Sequence, residues 1–143
     1  MKGFQFRLER VLDWRRTEMN LEESRLKQLH GAIALLDQER AAAETSRDEA
    51  ARAVVSRSSV DGTELQLLAA YREAVRLYAT RLGQKRRERE FELASQQQKL
   101  LEARRRLRLL ENLKERRRAE WNYEVERRAS AEHNGPFRAT KLS

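Results

Sequence analysis

The chain has 143 residues, 38% of them charged and 6% aromatic, with a formal net charge of +8 and no cysteine. So polar a composition cannot fill a broad globular core and excludes disulfide and thiolate chemistry; it suits long helices that bury only a narrow stripe. No apolar run is long enough to span a bilayer, and Met1–Arg7 lacks the apolar core of a signal peptide, so a cytoplasmic protein is expected.

Phe4, Phe6, Leu8, Val11 and Leu12 open the chain with an apolar cluster, and Trp14 follows closely. From there a seven-residue pattern runs through Leu12, Met19, Leu26, Ile33, Arg40, Arg47 and Val54 at position a. The companion d set is Leu8, Arg15, Glu22, Leu29, Leu36, Ala43, Ala50 and Arg57. Alternating steps of three and four keep side chains on one face, because a helical turn takes about 3.6 residues. The pattern predicts a first helix over about 5–57. Gly31 weakens it without stopping it.

The break falls between Ser56 and Glu64, in a run of serines ending in Asp61-Gly62-Thr63. Serine and glycine favour a turn, placed at about 58–62. Asp61 with Glu64 three residues later has the form of a capping box, in which the Asp side chain accepts from a first-turn N–H.

A second helix is predicted over about 63–133. Its a positions are Leu65, Arg72, Ala79, Arg86, Leu93, Leu100, Leu107, Lys114 and Trp121. Its d positions are Leu68, Val75, Leu82, Arg89, Gln96, Ala103, Leu110, Arg117 and Glu124. Arg72, Arg86, Arg89 and Gln96 interrupt the stripe, so the seam should be weaker toward the turn. The helix should end at Asn134-Gly135-Pro136, where glycine permits a left-handed close and proline cannot continue. Residues 134–143 then form a loose tail. Two heptad stripes joined by a short break predict an all-α fold, a long antiparallel two-helix coiled-coil hairpin in one domain. Paired residue numbers should add to about 120, which sets Leu12 near Leu107.

No constellation carries catalysis. His30 and His133 lie on different stretches with no ligand spacing around them, and Gly83-Gln84-Lys85 lacks the rest of a phosphate loop. The carboxylates sit on helices with no concave site to perturb them. No enzyme activity, cofactor or metal is expected.

Two surfaces remain. Tyr71, Val75, Tyr78 and Leu82 are spaced four, three and four; they either cover a weak layer of the seam or form an apolar docking stripe. The second surface gathers Phe4, Phe6, Trp14, Arg104, Arg105, Arg108, Arg116, Arg117 and Trp121. It is either the packed end of the hairpin with solvated arginines, or a plug for an acidic, ring-shaped or grooved partner. Residues 85–128 hold 15 basic and 9 acidic side chains, so +6 of the net charge lies there. That charge would attract an acidic protein face, an anionic membrane surface or nucleic acid.

Three motifs resemble the FliJ family of flagellar export proteins: Phe4-Gln5-Phe6-Arg7-Leu8-Glu9-Arg10-Val11-Leu12 at the start, Leu65-Gln66-Leu67-Leu68-Ala69-Ala70-Tyr71 after the turn, and Leu110-Glu111-Asn112-Leu113-Lys114-Glu115-Arg116-Arg117 followed by Trp121. The resemblance covers nearly the whole chain. It implies a coiled-coil stalk, without enzymatic activity, that sits in the hexameric flagellar export ATPase, links it to the membrane export gate protein and escorts export chaperones. It implies a role in type III protein transport, flagellum biogenesis, motility and chemotaxis, and a place in the cytoplasm, peripheral at the cell membrane. Carried over, Phe4, Phe6, Trp14, Arg104, Arg105, Arg108, Arg116, Arg117 and Trp121 would meet the ATPase ring, and Tyr71, Val75, Tyr78 and Leu82 the export gate. Many relatives end in a longer acid-ended segment, which this chain replaces with Ala129-Ser130-Ala131-Glu132-His133 and Gly-Pro. The related stalk of a virulence secretion system fits the same pattern. So does a nucleic-acid-binding basic coiled coil, although acids interleaved with the bases argue against it.

Overall fold

The computed structural model describes the backbone of residues 3–141 and the side chains of residues 3–133. It is all-α: two long helices packed on one another as a helical hairpin. The first, α1, spans Glu9–Val55, and the second, α2, spans Gly62–Lys141.

All four boundaries differ from those the sequence predicts, α1 ending at Val55 rather than at about 57. Gly3–Phe6 are not helical, and α1 begins only at Glu9, whose N–H donates to the Phe6 carbonyl at 3.1 Å. Phe4 and Phe6 are used instead to cover α2. Gly62 is the first residue of α2 rather than the last of the turn, because Asp61 caps it: the Glu64 N–H donates to Asp61 Oδ1 at 2.8 Å. Glu64 does not close the box. Its carboxylate accepts from Arg57 at 2.7 Å, which ties the end of the turn to its start. Lastly, α2 does not stop at Asn134-Gly135-Pro136 but continues to Lys141. A proline forfeits one i→i−4 bond, while the turns on either side keep theirs, and extending a helix is far easier than starting one. No described glycine has a positive φ, so no left-handed closure occurs at Gly135.

The helices form two compact units. One takes in Met1–Leu21 and Leu100–Ser143, the other Glu22–Lys99. In the first unit the core is Leu12, Leu100, Ala103 and Leu107, all buried and all at a or d positions. Leu8, Met19, Leu110 and Leu113 are half-buried around them. Lys114 reaches Glu9 at 2.9 Å and Arg106 reaches Glu18 at 3.4 Å, which brackets the buried layer with ion pairs. These partners run in opposite directions along the two helices, with residue numbers that add to about 120 as antiparallel packing requires.

In the second unit Ile33, Val75, Leu82 and Gln96 are buried. Leu26, Leu29, Leu36, Leu68 and Leu93 are half-buried. Arg86 donates from Nε to Asp37 Oδ1 at 2.8 Å and also pairs with Glu90 on its own helix. An arginine at an a position thus turns its head out of the seam and bonds at the rim, which is how the polar layers are accommodated. Gly83 sits beside the Arg40 guanidinium: a Cβ there would lie 3.9 Å from Nη1.

Candidate docking surfaces

The candidate surfaces belong to the two units separately. In the first unit the Phe4 ring meets the Trp121 ring, with centroids 6.1 Å apart and planes tilted by 53°. The segment that carries Phe4 and Phe6 lies over α2 and leaves a hollow on either side. One, of about 680 Å³, is lined by apolar residues such as Phe6, Leu8, Trp121 and Val125 together with charges of both signs, Arg7, Arg117 and Arg128 with Glu120 and Glu124. The other, of about 920 Å³, is lined by Phe4, Glu9, Arg10, Lys114 and Trp121 among others. Trp14 takes no part in lining either hollow. It is 57% exposed, and the Arg15 guanidinium carbon lies 4.7 Å from its ring centre. The aromatic group expected at this end is therefore Phe4, Phe6 and Trp121, with Trp14 on a different patch.

The arginines divide by their partners. Arg106 is held by Glu102 at 2.6 Å and by Glu18, and Arg117 by Glu120 at 3.4 Å. Arg104, Arg105, Arg108 and Arg116 are exposed and make no ion pair among the described residues. Three large apolar side chains on the same stretch of α2 are also exposed: Leu101, Leu109 and Tyr123. The seam pattern passes over them because they lie out of its phase. Their own spacing with Arg105, Arg108 and Arg116, in steps of three, four and seven (Leu101 to Arg105 to Arg108, and Arg105 to Leu109 to Arg116 to Tyr123), was the signal that could have found them.

In the second unit the stripe Tyr71, Val75, Tyr78, Leu82 is split. Val75 and Leu82 are 7% and 3% exposed and belong to the core, so neither can meet a partner while the hairpin is packed. Tyr71 and Tyr78 are 40% and 44% exposed, and the Tyr78 hydroxyl donates to the Glu39 carboxylate at 3.4 Å. Leu67 and Leu77, which the pattern did not single out, stand exposed on the same stretch of α2. Nearby, the Arg76 guanidinium bonds the Glu73 carboxylate and holds it below its usual range. The hydrogen bond to Asp37, with the charges of Asp37 and Glu90, raises the Arg86 pKa.

Among the described residues no three His, Cys, Asp or Glu side chains converge where they could hold a metal ion. No described helix is long and apolar enough to cross a membrane. What the surfaces offer chemically is aromatic and aliphatic contact beside uncommitted guanidinium groups. No family model matches the chain, and no curated protein or solved structure does either.

Proposed function

We propose that this protein is a stalk of flagellar protein export: a non-enzymatic hairpin whose end near Phe4 and Trp121 enters the hexameric export ATPase and whose Tyr71 and Tyr78 face the membrane export gate. In this reading it also escorts export chaperones. It works in the cytoplasm, peripheral at the inner face of the cell membrane. One observation carries the reading. The motif that opens the chain and the motif near its end, both of which resemble the FliJ family, meet in one unit: the Phe4 ring packs at a tilt against Trp121 and Glu9 pairs with Lys114. The exposed arginines Arg104, Arg105, Arg108 and Arg116 stand on the same helix, in the turns leading up to Trp121. A partner with an acidic lining would gain charge-assisted contacts there without breaking existing pairs.

The test is direct. The purified chain is mixed with the export ATPase, and hexamer formation and ATP turnover are measured. The expected result is a higher turnover and a co-eluting complex that weakens as salt is raised. Unchanged turnover and no complex at low salt would remove the proposal. Selective binding to the ATPase of a virulence secretion system would move the stalk to that machine.

A further inference from the structure

On a helix each residue advances about 100°, so the exposed side chains between Leu101 and Tyr123 can be placed around α2. Leu101, Arg105, Arg108, Leu109, Arg116 and Tyr123 fall within an arc of roughly 100°. The only other members of the arc are Asn112 and Ala119. No carboxylate lies inside it: Glu102 and Glu120 flank one edge and are taken by Arg106 and Arg117, and the exposed Glu115 lies just outside the other edge. The arc is opposite the buried stripe of Leu100, Ala103 and Leu107, so α1 cannot cover it. Leu101, Leu109 and Tyr123 are 57%, 62% and 66% exposed, and the three arginines have no ion pair among the described residues.

We infer that this outward band of α2 is a docking face for an acidic amphipathic helix of a partner protein. The band is six turns long, about 33 Å, and would take a helix of some twenty residues. Its pattern selects the occupant. Arg105 and Arg116 stand between the apolar residues along the band. A lipid surface needs an unbroken apolar face with charges at its flanks, which this band lacks. A nucleic-acid backbone would use the arginines but leave two leucines and a tyrosine in water. A helix with leucines and glutamates in matching alternation satisfies both kinds of group, and the tyrosine and arginines are the residue types that anchor such contacts. The inference names the partner chemistry of the end that the stalk proposal sends into the ATPase, and it rests on that proposal for the idea that this end is an insertion end.

The experiment titrates the full chain with a fluorescent synthetic peptide of about 21 residues, helical, with alternating leucine and glutamate along one face. Phosphatidylglycerol vesicles and a DNA duplex are titrated in parallel. The peptide should bind, and binding should fall at least tenfold in R105E/R108E/R116E and, without any change of charge, in L109A/Y123A. The control R81E/K85E/R87E, which reverses three exposed charges elsewhere on α2, should bind as the parent does. Circular dichroism reads whether each variant keeps its helix content. Absence of peptide binding, equal loss in the control, or tighter binding of vesicles or duplex through the same three arginines would overturn the inference. ATPase binding, measured on the same samples, separates the two ideas: a chain that takes the peptide and ignores the ATPase keeps the band and loses the stalk, and the reverse result does the opposite.

Discussion

Gln96 donates its side-chain N–H to the backbone carbonyl of Glu22, 3.0 Å away on the other helix, and also meets the Glu22 carboxylate. It is 6% exposed and stands at a d position, so a polar layer is built into the middle of an apolar stripe. A polar group there specifies register at some cost in stability. Replacing it with leucine strips the half-buried Glu22 of this donor and leaves a carboxylate in the layer, so the melting temperature should not rise. The same Gln96→Leu variant should loosen pairing specificity, seen as added dimer in analytical ultracentrifugation. Gln96→Ala also removes the donor and fills nothing, leaving Arg25 as the partner of the Glu22 carboxylate, and should cost about 1–3 kcal/mol.

Leu100 and Leu65 occupy the same stripe by count and differ in burial: Leu100 is buried, while Leu65 is exposed beside the turn. Leu100→Ala should destabilise by about 2–4 kcal/mol in urea unfolding, and Leu65→Ala by less than about 0.5 kcal/mol. Equal losses would mean that the seam extends unbroken to the turn.

The Asp61 cap supplies one orphan donor of the first turn of α2, the Glu64 N–H, with its partner. Asp61→Ala should cost about 1 kcal/mol, and Asp61→Asn, which keeps an accepting oxygen, much less. Hydrogen exchange at Glu64 and Leu65 is the local readout and should speed up in the alanine variant alone.

Glu73 is held below the ordinary glutamate pKa of 4.5 chiefly by its hydrogen bond from Arg76. A lowered folded pKa means that its contribution is present above 4.5 and is lost as the pH falls through the folded value. The carboxyl carbon of Glu73, followed by NMR, should titrate with a midpoint below 4.5, and Arg76→Gln should bring that midpoint back up.

Tyr71 and Tyr78 can be removed without opening the core, whereas Val75 and Leu82 cannot. Tyr71→Ala with Tyr78→Ala should leave helix content intact and, on the stalk proposal, weaken binding to the export gate. Val75→Ala or Leu82→Ala should instead lower stability by about 1–4 kcal/mol. If the tyrosine pair alters neither gate binding nor motility, those rings only shield the seam.

The hairpin and its seam were legible because burial follows a period. Leu12, Ile33, Val75, Leu82, Leu100, Ala103 and Leu107 are all buried, and all lie on the stripes read by counting in sevens. The limits of the elements were less legible, since they depend on competition among tertiary contacts. Phe4 and Phe6 have the pattern of a helix start, yet the Trp121 surface draws them out of α1. Gly-Pro has the pattern of a stop, yet one lost bond does not end a helix whose neighbouring turns are intact. The candidate surfaces were legible by residue type and not by direction. Composition points to the arginines near position 105, but separating Arg106 and Arg117 from Arg105, Arg108 and Arg116 requires knowing where Glu18, Glu102 and Glu120 reach.

Antiparallel pairing, as at Asp37 with Arg86, also governs how such a molecule can change in length. A deletion of seven residues from one arm would leave its stripe in phase but set every layer beyond the cut against the wrong neighbour. Only matched excisions, a heptad from each arm at facing positions, would give a shorter hairpin with its remaining layers still meeting. Insertions and losses in this chain are thus tolerated in pairs, and an unpaired one has to be absorbed at the turn or as overhang.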